Sequence, residues 1–165
     1  MASERFTAAL NAQIAREFAA AHQYVAIGAH YAAETFPQLS GFFYEQAEEE
    51  REHAMKMVNY LIDRGVQPDI GGVAAPKGGF GDHVEPIRLA LEQERQVTVK
   101  ISELFEIARE TRDYTSEQFM TWFLDEQVEE EAAMGDLLAV AERTVSVPML
   151  LEEYLARDKP GARPE

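Results

Sequence analysis

The sequence predicts an all-α fold: an up-down four-helix bundle with a long crossover loop between helices 2 and 3 and a short fifth, C-terminal helix. Three observations carry that expectation. Apolar residues recur at steps of three and four almost everywhere, and β-branched alternation is scarce. Four of the periodic stretches are long, about 26 residues or more. Two of the connections between them are short, while the middle one is a run of glycine and proline.

The first helix is expected over about 4–34, ended by "TFP" at Thr35 to Pro37. The second covers about 39–64, with Gly65 as its C-terminal stop. Then comes the loop "VQPDIGGVAAPKGGFGD". Asp82 and Glu85 form a capping box, and Pro86 lies in the first turn of a third helix over about 83–111. Thr115 and Gln118 form another such box and open a fourth, over about 116–144. "SVPMLLEEYLARD" reads as a fifth, over about 147–157, with Pro148 near its start.

Short turns make helices 1 and 2 antiparallel, and likewise 3 and 4. A 26-residue helix is about 39 Å long at about 1.5 Å per residue. The central loop, extended at about 3.3 Å per residue, can run that whole length. The 165 residues suit one domain, 1–165, with a substantial core. There is no convincing internal repeat, and the only low-complexity tail is the polar "KPGARPE".

Composition narrows the function. Thirty acids against fifteen bases leave a formal charge of −15, which repels nucleic acid and anionic membranes and attracts cations. The absence of cysteine removes disulfide scaffolds, thiolate metal sites, iron–sulfur clusters and cysteine nucleophiles together. "MASERFTAAL" lacks the organisation of a signal peptide, and no apolar run approaches the roughly 20 residues that span a bilayer. A soluble, cytoplasmic protein is expected.

The decisive pattern lies inside the apolar stripes. Helix 2 reads Phe43, Ala47, Glu50, Ala54, Met57, Leu61, with His53 beside Glu50 in "QAEEEREHAMK". Helix 3 reads Ile87, Leu91, Glu94, Thr98, Ile101, Phe105, Ala108. Helix 1 gives Leu10, Ile14, Glu17, Ala21, Tyr24, Gly28, and helix 4 gives Phe119, Phe123, Gln127, Glu130, Met134, Leu137, Ala141. Each helix thus carries a carboxylate in its core-facing register near mid-length. Glu-x-x-His alone is a short, common pattern, and a solvated acidic face would explain it better. Four acids in matching register change that balance.

An unpaired buried carboxylate costs several kcal/mol (on the order of 5) even after relaxation, and these stripes contain no lysine or arginine. A bound cation satisfies many carboxylate oxygens together. Glu17, Glu50, His53, Glu94 and Glu130 are therefore candidate ligands. Carboxylates with one imidazole and no thiolate disfavour copper(I) and structural zinc. Four carboxylates exceed the needs of one divalent ion, so a dinuclear iron or manganese site fits best. Di-iron bundles use single glutamates on two helices and Glu-x-x-His on the other two. Here Gln127/Glu130 keeps the spacing of the second pair but not its residues.

The motifs "AREFAAAHQY", "EEEREHAMK", "LEQERQ" and "WFLDEQVEEE", in this order and at these intervals, resemble those of the bacterial non-haem ferritins over essentially the whole chain. The resemblance implies a ferritin-like bundle that assembles as a hollow homo-oligomeric shell of twenty-four subunits. It implies Fe(II) oxidation by O2 or H2O2 and storage of ferric oxyhydroxide in the cavity. In that family Glu17, Glu50 and His53 would hold one iron, and Glu50, Glu94 and Glu130 the second. Gln127 would lie nearby, with Tyr24 as a redox or hydrogen-bonding partner. A third iron position would match Glu49, Glu126, Glu129 and Glu130.

Bacterioferritins differ in a second complete Glu-x-x-His pair and a haem-ligating methionine. Glu52 stands at that methionine's position, with Met55 and Met57 off register, so no haem is expected. Miniferritins and rubrerythrin-like proteins fit less well, lacking the fifth helix or adding a cysteine-bound iron domain.

Blander readings apply elsewhere. Glu48, Glu49, Glu52, Glu126 and Glu129 are equally surface charges, and Tyr24 is equally a core tyrosine. Trp122 reads as packing, and His22, His30 and His83 as structural. Asp113 and Glu117 are weak candidates for an iron access channel, because helix N-termini attract acids anyway. The alternative function is a di-iron oxygenase or peroxidase without storage. A helical scaffold with outward-facing acids is the non-enzyme reading.

Overall fold

A computed structural model describes residues 3–158, 160 and 161. Most of the "KPGARPE" tail, Lys159 and residues 162–165, lies outside these described residues. Five helices follow in order: α1 (Glu4–Ala33), α2 (Pro37–Asp63), α3 (Glu85–Glu110), α4 (Tyr114–Arg143) and α5 (Met149–Arg157). There are no strands among the described residues, and no helix is long and apolar enough to cross a membrane.

Local chemistry sets the ends. Ser3 caps α1 by accepting from the Phe6 amide at 3.1 Å. The α2 helix begins two residues earlier than expected because Pro37 takes its first position, where a missing N–H is harmless. At α3, Asp82 Oδ1 accepts from the amides of Val84 and Glu85 at 2.8 Å each. The reciprocal bond of the expected box goes instead from the Gly81 amide to Glu85, at 2.7 Å. The expected Thr115/Gln118 box is replaced at α4. Asp113 is the cap, accepting from the Ser116 amide at 3.2 Å and the Ser116 hydroxyl at 2.7 Å. Arg64 fixes that aspartate from α2's end, 3.2 Å from both carboxylate oxygens.

Three helices end alike. After α2, the Val66 amide bonds to the Leu61 carbonyl and the Gly65 amide to Ile62, both at 2.9 Å, with Gly65 at φ 73°. The turns after α1 and α3 repeat this bonding with Thr35 (φ 64°) and Arg112 (φ 54°) in the left-handed position. These tight reversals make α1/α2 and α3/α4 the two hairpins. At Gly28 the helices of the first hairpin approach so closely that a Cβ would meet the Tyr44 ring at 2.8 Å.

The crossover is stitched along α1. The Asp69 amide donates to Asn11 at 3.0 Å, and Gln23 bonds both the amide and the carbonyl of Lys77. The Tyr31 hydroxyl donates to the His83 carbonyl at 2.6 Å. Loop positions 69, 77 and 83 meet α1 positions 11, 23 and 31 in the same order, so the loop runs parallel to α1 and brings α3 back at the far end of the bundle.

The core falls into two apolar clusters. One contains Phe6, Leu10, Ile14, Met57, Leu61, Ile101 and Phe123. The other contains Tyr24, Ile27, Phe43, Ile87, Met134, Leu137 and Leu151. The band between them is polar.

The α5 helix packs on α2 through Leu151, leaving Met149 and Leu150 exposed. Glu152 beside it is only 5% exposed. Its carboxylate accepts from the amides of Gln38 and Leu39 at 2.8 and 2.9 Å, closing the N-terminus of α2, where Phe36 offers no side-chain cap. Glu152→Ala should cost about 1–2 kcal/mol in chemical denaturation, as loss of a charged cap does. It should also raise hydrogen exchange at Gln38 and Leu39.

Candidate metal centre

All four long helices contribute to the polar band, at the positions where the apolar stripes are interrupted. Glu17 on α1 and Glu50 on α2 are each 1% exposed, Glu94 on α3 is 0% exposed and Glu130 on α4 is 5% exposed. Tyr24, His53 and Gln127 are buried with them. The inward carboxylates read from the sequence are inward.

Two groups emerge within the band. Glu17, Glu50 and His53 bring ligand atoms within 4.8 Å of one another, and so do His53, Glu126 and Glu130. His53 stands between them, its Nδ1 3.6 Å from Glu50 Oε2 and its Nε2 3.8 Å from Glu126 Oε2. Glu17 Oε1 accepts from the Gln13 amide at 2.8 Å. Glu17 Oε2 and Glu50 Oε1 are buried with no donor.

Glu94 is better supplied. The Tyr24 hydroxyl donates to its Oε1, and the Gln127 amide lies 3.2 Å from its Oε2, its carbonyl oxygen and the Thr98 hydroxyl. The remaining predicted residues are on the α2/α4 face: Glu126 is half-buried, while Glu49 and Glu129 are exposed. All three border a cleft of about 710 Å³ that also touches Glu130.

Burial dominates the electrostatics. Desolvation, aided by the charges of Glu94 and Glu17, holds the Glu50 carboxyl well above the usual carboxylate range. Glu130 is raised to about 9 by burial and then by Glu94, Glu49 and Glu126. Glu94 is raised by burial to about 7, although the Tyr24 and Gln127 hydrogen bonds favour its ionised form. Burial, then the neighbouring carboxylates, also pushes the Tyr24 hydroxyl upward.

A divalent cation fits this donor set. Buried carboxylate oxygens without donors, close together and beside an imidazole, can be satisfied by one ion where hydrogen-bond donors are lacking. Oxygen-rich donors with one nitrogen suit iron, manganese or zinc more than copper(I).

Sequence reading missed several residues here. The Gln13 amide donates to Glu17, the Thr98 hydroxyl accepts from Gln127 and donates to Glu131 and the Glu94 carbonyl, and Gln46 donates to Glu49 at 2.9 Å. Gln13 and Gln46 each precede a core glutamate by four residues, which was a usable signal. Trp122 packs edge-on to His53 at 5.5 Å, with Lys56 over its ring at 3.9 Å. Asp113 and Glu117 are engaged structurally, by the cap and by Arg109 at 3.0 Å.

A profile of the ferritin-like domain matches residues 7–144. This chain belongs to the ferritin family. It is 45% identical to ferritin BfrB of Mycobacterium tuberculosis over 154 residues, covering 93% of this chain and 85% of the relative. It is 44% identical to a bacterial non-heme ferritin of Staphylococcus aureus over 132 residues, 80% of each chain. Among solved structures, an open pore ferritin from the archaeon Archaeoglobus fulgidus superposes with a TM-score of 0.90 at 28% identity, over 95% of this chain and 98% of that one. Chlorobium tepidum ferritin gives 0.86 at 31% identity, over 95% and 94%. The helical architecture of this ferritin family member is therefore the expected one.

The raised carboxyls give a signed pH dependence for the metal-free protein. Their folded pKa values exceed the ordinary glutamate value of about 4.3. Their contribution to stability is therefore full below that value and is lost as pH rises through about 7 for Glu94 and about 9 for Glu130. Metal-free protein should lose stability between pH 5 and 9, by at most about 1.4 kcal/mol per pH unit for each group. Glu130→Gln should flatten the upper part of that fall. Saturating Zn(II) should oppose it, because cations compete with the same protons. Denaturation at stepped pH, with and without the metal, measures both.

Proposed function

We propose that the chain is a single ferritin-like di-iron domain, residues 1–165, that oxidises Fe(II) and stores the product. The observation that carries this reading is the pair of donorless carboxylate oxygens on Glu17 and Glu50 beside His53, inside a bundle whose family is that of ferritins. Iron is the substrate. Glu17, Glu50 and His53 take one Fe(II); Glu50, Glu94 and Glu130 take the other, with Glu50 shared between them.

Several side chains have defined tasks. The Gln13 amide holds one oxygen of Glu17 and leaves the other for the ion. Gln127 and Tyr24 hold Glu94, the Tyr24 hydroxyl donating to its Oε1 at the edge of the site. Glu126, near Nε2 of His53, favours the tautomer that leaves Nδ1 free for the metal. The carboxyls raised by burial give up protons as iron arrives. Two Fe(II) lose one electron each, which reduces O2 to H2O2 or H2O2 to water.

Glu49, Glu126, Glu129 and Glu130 form the accessory iron position and the way out to the mineral. The cleft at these residues is lined by acids, which suits a cation better than the organic substrate of an oxygenase. The relatives' names, ferritin and bacterial non-heme ferritin, support storage. The reading without haem rests on Glu52, which stands exposed at the position where the resemblance implies a haem-ligating methionine. We place the protein in the cytoplasm as a homo-oligomeric shell of twenty-four subunits.

Size-exclusion chromatography after aerobic Fe(II) loading tests this reading. Storage predicts an assembly of roughly half a megadalton that retains hundreds of irons per shell. A small oligomer that turns over without retaining iron would instead identify an oxygenase or peroxidase. Glu50→Ala should slow Fe(II) oxidation by at least about tenfold, as loss of a shared ligand does, while the assembly forms normally. Unchanged oxidation kinetics in that variant would remove the assigned centre.

A further inference from the structure

We infer that Gln46 is a working part of the accessory cation position on the α2/α4 face. Its amide N–H positions Glu49, and its carbonyl oxygen is a neutral ligand to the ion. The inference rests on the iron-handling reading and adds to it a residue from outside the acidic motifs.

The geometry starts from the cleft of about 710 Å³ between α2, α4 and the segment after α5, which is lined by Glu45, Gln46, Glu49, Glu126, Glu129 and Glu130. An acidic patch alone would be unremarkable on a chain of net charge −15. Gln46 is different. It is only 7% exposed, its Nε2 donates to Glu49 Oε2 at 2.9 Å, and its Oε1 is buried with no donor.

The alternative amide orientation would set a carbonyl oxygen against the Glu49 carboxylate, so the hydrogen bond fixes which end is which. No donor reaches the Gln46 oxygen, and carboxylates that have given up their protons to a cation can only accept. A cation satisfies both kinds of oxygen together, and side-chain amide carbonyls are established ligands of hard cations. Gln46 also sits one helical turn before Glu49 and Glu50, so α2 carries the amide, the accessory carboxylate and the shared carboxylate on one continuous edge.

A merely structural glutamine would behave differently under substitution. Gln46→Leu removes both the N–H and the oxygen. Gln46→Glu loses the N–H but keeps a ligand oxygen and adds charge, which a bound cation welcomes and an ion-free pocket does not.

The test uses Zn(II), which is redox-inert, on the assembled protein. Calorimetry should resolve ions at the in-bundle centre, abolished by Glu50→Ala, from a weaker accessory ion. Gln46→Leu should weaken the accessory ion at least tenfold and leave in-bundle affinity within twofold, and Gln46→Glu should restore the accessory ion. In wild-type crystals, anomalous scattering at the zinc edge should place an ion about 2.0–2.2 Å from Gln46 Oε1.

Zinc bound in the bundle with none at Gln46, or with only water on its oxygen, overturns the inference and leaves the ferritin reading standing. So does equal accessory affinity in wild type and Gln46→Leu. If Gln46→Leu fails to assemble, the crystals and the Glu variant decide. Protein that binds no zinc at the Glu17/Glu50 centre defeats the parent reading instead.

Discussion

Four carboxylates at mid-height in an apolar bundle, two of them with an oxygen that no hydrogen reaches, form the constraint on which this structure depends. Each long helix surrenders one core position to an acid, and the hydrophobic interior is divided into two clusters above and below. Those clusters provide the rigidity that keeps mutually repelling groups together. Burial, and then the neighbouring charges, raises the carboxyls of Glu50, Glu94 and Glu130, which is the condition under which a multivalent ion becomes the best available neighbour.

The side chains around the acids are graded in what they supply. Glu94 receives donors from Tyr24 and Gln127, whereas Glu17 is tied by Gln13 through one oxygen only. Glu50 keeps an oxygen with no donor. Glutamine recurs because its amide can direct a carboxylate without neutralising it; a lysine or arginine in the same place would occupy the oxygens that an ion needs. The incomplete satisfaction of Glu17 and Glu50 is a property of the site, maintained by well-packed flanks.

Much of this was legible in the sequence, and the reasons differ by element. Apolar periodicity revealed the four helices, and Glu17, Glu50, Glu94 and Glu130 stood out because each violated a stripe. Gly65 and Asp82 act through local backbone chemistry, which a linear string records. Thr35 and Arg112 escaped because their left-handed conformation is imposed by the reversal of the hairpin and not by their own preference. The α4 start was misplaced because Thr115/Gln118 matched a capping pattern, while the true cap, Asp113, is held by Arg64 from a distant helix end. Gln13 and Gln46 lay in plain view on the right faces, but their partners are set by rotamers that spacing does not encode. Glu152 was hidden for a further reason: its task concerns a helix more than a hundred residues earlier in the chain.

That last contact has a mechanical meaning. One acid both anchors the final helix and seals the start of α2, so the two move as a unit. The same opening turn, Pro37 to Gly41, walls the acidic cleft, and Leu155 and Gly161 line it from the other side. A single carboxylate thus joins the outermost helix, with its bare Met149 and Leu150, to one wall of the acidic cleft.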